Sequence, residues 1–193
     1  MIRTVLLASF VILGLTGCSG AMKPEDFEGK EPRFVLEDFF EGKTKAWGMF
    51  HDRFGNIRRE FEVDITGSWD GETLILDEEF DYADGEQDRR IWTILKVDDN
   101  TYTGTADDIL GVASGRTFGN ALNWTYDMDL KVGDGSLRVN FDDWMFLRPG
   151  GVLLNRASVS KWGFEIGVVT LSFSRVEVES DAALLNVQQR AAE

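Results

Sequence analysis

The sequence predicts an all-β domain: an antiparallel up-and-down barrel of about nine to ten strands with a short C-terminal helix. Three observations carry this reading. Apolar and polar residues alternate with period two in run after run, as in strands with one buried and one wet face. Clusters of Asn, Asp and Gly separate the runs, and these residues tolerate the positive φ of tight hairpins. No helical run of normal length interrupts the series until the chain's end. Consecutive hairpins make a meander, and closing it removes both edges, so a barrel is favoured over a sandwich.

Taken in order, the chain begins with a positively charged Met1-Ile2-Arg3 and an apolar run from Thr4 to Leu15. That run is too short for a hydrocarbon core needing about 20 residues, so it reads as a secretory signal peptide. It ends in Leu15-Thr16-Gly17-Cys18, which resembles the bacterial lipobox. The resemblance implies cleavage after residue 17 and acylation of Cys18, which becomes the first residue of the mature chain. Each buried methylene of such an anchor contributes roughly 0.8 kcal/mol. Ser19, where Asp would mark inner-membrane retention, favours the outer membrane and a periplasm-facing protein. Gly20–Pro32 is polar, carries two of the three prolines, and reads as a tether within a lipidated segment 18–32.

The barrel is expected over residues 33–179. Leu122, Trp124, Tyr126, Met128, Leu130 and Val132 share one face of a strand; Ile57, Arg59, Phe61, Val63 and Ile65 share another; Leu137, Val139 and Phe141 a third. Further runs lie at Lys45–His51, Glu72–Phe80, Asp88–Val97, Thr101–Ala106, Gly115–Gly119, Gly151–Lys161 and Phe164–Val178. Ser180 caps an expected helix over Asp181–Ala192, within a tail of residues 180–193.

Composition narrows the function. With 34 acidic against 20 basic residues the net charge is −14, which argues against nucleic acid, since phosphates are bound by clustered Lys and Arg. Cleavage would remove Arg3 and take the charge to −15, so attachment must come from the acyl chains rather than an acidic surface facing anionic lipid. One Cys excludes an internal disulfide, one His argues against a His-based metal site, and no cofactor is implied.

Six Trp, 14 Phe and three Tyr are a heavy aromatic load for one barrel. If Trp92, Trp124, Tyr126 and Trp144 point inward, they line an apolar cavity or simply fill the core. A polar set, Arg90, Asp142, Asp143, Asn155 and Lys161, sits on otherwise apolar strands. Inside, it would pair with itself or meet a ligand, with Arg90 clamping a carboxylate or phosphate; outside, it would form salt bridges. The acidic stretch Asp77–Glu86 lacks Ca²⁺-loop spacing and is explained by a hairpin at Asp84-Gly85. Gly111, Gly115 and Gly119 form neither a nucleophile elbow nor a dinucleotide loop, and read as bulges or barrel corners.

Phe80-Asp81-Tyr82-Ala83-Asp84-Gly85-Glu86, Arg90-Ile91-Trp92, Thr103-Gly104-Thr105-Ala106-Asp107 and Gly111-Val112-Ala113-Ser114-Gly115 stand together with Gly119-Asn120-Ala121. Asp142-Asp143-Trp144-Met145, Leu154-Asn155-Arg156-Ala157 and Lys161-Trp162-Gly163 complete the set. In these runs the chain resembles DUF3833, a family of bacterial lipoproteins without an assigned function. The resemblance implies a lipocalin-like barrel and brings no catalytic residues. The leading expectation is therefore a carrier of a lipid or other hydrophobic small molecule, held to the membrane through Cys18. Two others stand beside it: an envelope assembly protein with a filled barrel and an unidentified protein partner, and a lipid-modifying enzyme using Asp142, Asp143 or Glu165.

Overall fold

The computed structural model describes residues 20–132 and 135–176. Ten strands make up most of it: β1 (Gly42–Asp52), β2 (Ile57–Trp69), β3 (Thr73–Tyr82), β4 (Gln87–Lys96), β5 (Thr101–Thr105), β6 (Ile109–Phe118), β7 (Ala121–Val132), β8 (Gly135–Leu147), β9 (Val152–Lys161) and β10 (Phe164–Arg175). Each pairs antiparallel with its neighbour in sequence, and β1 pairs with β10 to close the barrel. That seam runs from Thr44 opposite Arg175 to Asp52 opposite Gly167. The expected all-β meander is present. The signal segment and the expected C-terminal helix lie outside the described residues.

Alternation sets which side faces in. On β2, Val63 and Ile65 are buried, while Glu62 and Asp64 point out to Lys45 of β1 at 2.9 and 3.6 Å. β6 begins at Ile109, six residues before the run read from sequence. Its pairing with β7 is irregular between Leu110 and Ser114, which breaks the period-two signal there.

Part of the polar segment read as a tether packs on the barrel. Pro24–Phe27 forms one 3-10 turn; Phe27 lies 5.9 Å from the Trp144 ring and 5.3 Å from Phe146. Glu25 meets Arg116 at 2.6 Å. A short helix follows, α1 (Leu36–Phe40), which the strand patterns did not foretell. Five residues are too few to hold a helix alone, so tertiary burial holds this one. Phe34, Phe39, Phe40 and Phe173 meet edge-to-face in succession, at 5.9, 4.9 and 5.7 Å, and seal one end of the barrel. Gly67 lets this plug seat closely, because a Cβ there would stand 1.9 Å from the Phe40 carbonyl oxygen.

One charge is carried into the plug. Glu37 is buried, pairs with Lys96 of β4, and accepts a 2.8 Å hydrogen bond from the Tyr102 hydroxyl on β5. Burial raises its pKa, but the bonds from Lys96, the backbone and Tyr102 outweigh that and hold it below the usual range. Away from the plug the interior opens. Val63 and Ile65 are 2% exposed, whereas Phe61 and Arg59, nearer the turn at 53–56, are only half-buried.

Candidate functional site: an aromatic cavity with a polar floor

The barrel is hollow. A cavity of about 300 Å³ runs from the plug residues Leu36 and Phe40 to the open end at Phe50, Arg59 and Tyr82. This is at the low end of the roughly 300–1,000 Å³ of small-molecule pockets. Its wall is mostly aromatic and aliphatic.

Trp92 of β4 is the hub. Its ring meets Trp124 at 5.7 Å and Tyr126 at 5.4 Å, both edge-on, and Tyr126 stacks on Phe141 at 4.9 Å. Trp124 fits only because two neighbouring strands lack side chains beneath it. A Cβ on Gly104 would come within 2.7 Å of its ring, and one on Gly115 within 2.2 Å. Gly115 is thus a seat for an indole rather than the corner expected from sequence. Gly115→Ala is expected to cost about 1–3 kcal/mol through overpacking and to shift the tryptophan emission. Thermal melts with fluorescence check this; an unchanged melt and spectrum would show that Trp124 is not so confined.

Besides Arg59 and Lys131, polar side chains enter this wall in two places. Asp108, in the turn between β5 and β6, holds Arg90 of β4 with both oxygens. Its Oδ2 lies 2.9 Å from Nε and 2.7 Å from Nη2; its Oδ1 lies 3.1 Å from Nε. Glu78 of β3 stands 3.8 Å from Nη1. Burial disfavours the Arg90 charge, and the nearby Glu78, Tyr126 and Asp108 more than offset it, so its pKa is raised. Glu78 moves the other way from an ordinary carboxylate: burial pushes it up to about 7, only partly relieved by Arg90.

The second place is Asp143 of β8, 6% exposed, which accepts a hydrogen bond from Asn155 Nδ2 of β9. Burial drives Asp143 up to about 7, the Asn155 bond opposes this, and the charges of Asp142 and Glu78 reinforce it. Asn155 also donates to the Trp144 carbonyl at 3.3 Å, while its Oδ1 is buried with no donor. The Tyr126 hydroxyl is raised as well, chiefly by burial.

Of the residues singled out from sequence, Arg90, Trp92, Trp124, Tyr126 and Asn155 come together on this wall. Three do not. Trp144 lies on the outer face of β8, stacked on Phe146 at 6.1 Å and covered by Phe27. Asp142 is exposed and accepts 2.6 Å from Asn123. Lys161, at the end of β9, sits over the Trp162 ring at 4.4 Å and does not line the cavity. Alternation carries the reason: Val139, Phe141 and Asp143 share the inner face of β8, so residues 142 and 144 must face out.

Glu78 and Asp108 were missed as site residues. Glu78 had a signal, because it continues the inward series Leu74, Leu76 and Phe80. The acidic run around it hid this. Asp108 lies in a turn, where no periodicity applies.

Comparisons with known proteins place this geometry. No curated protein matches the sequence. Among solved structures, the S-type phycobiliprotein lyase CPES from Guillardia theta is similar in fold, with a TM-score of 0.52 at 13% identity. The alignment covers 82% of this chain and 99% of that one. The likeness supports the lipocalin-like barrel. The family model described as "Protein of unknown function (DUF3833)" matches residues 12–175, nearly the whole barrel and its plug, and the chain belongs to that family.

Proposed function

We propose that this is an envelope lipoprotein, held by acyl chains on Cys18 in the outer membrane facing the periplasm, whose barrel binds or transfers a lipid or other hydrophobic small molecule. The observation that carries the proposal is the aromatic cavity, open at one end and sealed by α1 at the other. Concave apolar sites with a few convergent polar groups are the usual form of small-molecule sites. Transfer, rather than storage, is favoured by rings at the hairpin tips of the open end: Phe54, Trp162 and Phe164 are 75%, 87% and 75% exposed. A hollow interior weighs against the reading as a solid assembly scaffold. Of the carboxylates considered for an enzyme, Asp142 and Glu165 are exposed, and Asp143 lines the cavity.

The test has two parts. Cys18→Ser is expected to move the protein from the membrane fraction to the soluble fraction. The mature Cys18→Ser chain is expected to carry an apolar molecule through purification, seen by native mass spectrometry, and Trp92→Ala should lose it. A protein that is empty in every preparation and takes up no amphiphile would sink the carrier reading.

A further inference from the structure

Charge inside the barrel does not balance, and the imbalance bears on what the cavity can hold. Glu78 and Asp108 stand beside one guanidinium, Arg90, which Asp108 already holds with both oxygens, and a third carboxylate, Asp143, lines the same cavity. A carboxylate or phosphate arriving at Arg90 would have to displace Asp108 and would still face Glu78. The expectation that Arg90 clamps an anionic head group therefore loses its geometric basis.

Beside Asp143 what is left unmet is an acceptor, whereas the unmet donor on the lining, Arg59 Nε, lies toward the open end. Asp143 has no cation within 4 Å among the described residues, and its single hydrogen bond comes from Asn155. Asn155 is itself 6% exposed, lines the cavity, and leaves Oδ1 buried without a donor. This second orphan is independent of the carboxylates. Buried polar atoms are normally paired, so both call for a donor. The wall's other cations do not supply one. Arg59 is taken by Glu86, lies 3.6 Å from Asp84, and stacks on Tyr82. Lys131 is exposed, and lies seven residues up β7 from Trp124, the register partner of Asp143. That is about 23 Å along a strand.

An ammonium group carries three donors and no acceptor, and its bonds to a carboxylate are charge-assisted. Indole faces nearby favour a cation further. We propose that the cavity takes a hydrophobic amine, whose ammonium donates to Asp143 and to Asn155 Oδ1 while its hydrocarbon part lies along Trp92, Trp124 and Tyr126. Glu78 adds negative potential to the same space, and Arg90 with Asp108 forms a neutral structural pair. This rests on the carrier reading and sharpens it to a ligand class.

Three twelve-carbon probes separate the ideas: dodecylammonium, dodecanol and dodecanoate, titrated at pH 8 into the mature Cys18→Ser chain and read by calorimetry. Dodecylammonium is expected to bind at least about tenfold more tightly than dodecanol and about a hundredfold more tightly than dodecanoate. Asp143→Asn should erase most of the ammonium preference, leaving dodecanol within about twofold, and dodecanol binding shows that the variant is folded. If Asp143→Asn does not fold, Glu78→Gln should still narrow the preference. Dodecanoate binding as tightly as dodecylammonium would overturn the proposal. So would a preference untouched by Asp143→Asn, since it would then come from the acidic surface. Dodecanol binding with no charge preference removes this inference alone; failure of all three probes removes the carrier reading with it.

Discussion

Glu37→Ala is expected to lower stability by roughly 3–5 kcal/mol, the usual cost of removing one partner from a buried ion pair. The carboxylate ties the plug to Lys96 of β4 and the Tyr102 hydroxyl of β5 at once. Truncation leaves a half-buried ammonium and a buried phenol without an acceptor. For a chain of this size the loss corresponds to about 10 °C in Tm. Glu37→Gln should recover part of it, because an amide oxygen still accepts from Tyr102. Thermal melts of the two variants beside Lys96→Met check this. An alanine variant within 1 °C of the parent would show that the plug is held by its rings alone.

A second large effect is expected from pH, and it runs opposite to common experience with acidic proteins. Glu78 and Asp143 rise from 4.5 and 3.8 to about 7 on folding, so the folded state holds their protons more tightly than the unfolded state. Stability is therefore full below pH 4, declines between about pH 4 and 7, and stays low above. Each group alone is worth roughly 3–4 kcal/mol over that window. Carboxylates with lowered values act only on the acid side; Asp52, held at about 2 chiefly by Arg58 and Asn56 against desolvation, loses its contribution as pH falls through that range. Maximum stability is thus expected near pH 4, with Tm falling between pH 4 and 8. Asp143→Asn and Glu78→Gln should each flatten that fall and raise Tm at pH 8. A Tm that is flat or rises from pH 5 to 8 would refute the assignment of these two groups as carboxyls whose burial outweighs the partners they have. Residues that cost stability and are kept at a cavity wall are the expected signature of a binding function.

Most of the barrel could be read from the sequence because a two-sided sheet writes its geometry directly into residue order. Alternation puts Trp124 and Tyr126 on one face of the strand and Thr125 on the other, and in the structure the aromatic face is the inner one. Two kinds of feature escaped. Helix α1 is held by rings from distant parts of the chain, Phe173 among them, and nothing local in Leu36–Phe40 announces that. The site is less legible, because side-chain chemistry and strand parity point to different residues on β8. Asp142, Asp143 and Trp144 all draw notice as polar or aromatic side chains, but the series through Val139 and Phe141 continues inward only to Asp143. The Asp108 partner that neutralises Arg90 comes from a turn, and only three-dimensional closure brings it there.

The position of the plug bears on direction. The chain enters the fold at its sealed end, through Pro24–Phe27 and α1, while the cavity opens at the opposite end among Phe54, Trp162 and Phe164. A protein hung from a bilayer by Cys18 would then present its base to that bilayer and turn its mouth outward. Cargo would be exchanged with whatever lies across the gap, and the anchoring leaflet would serve as a mooring rather than as the source.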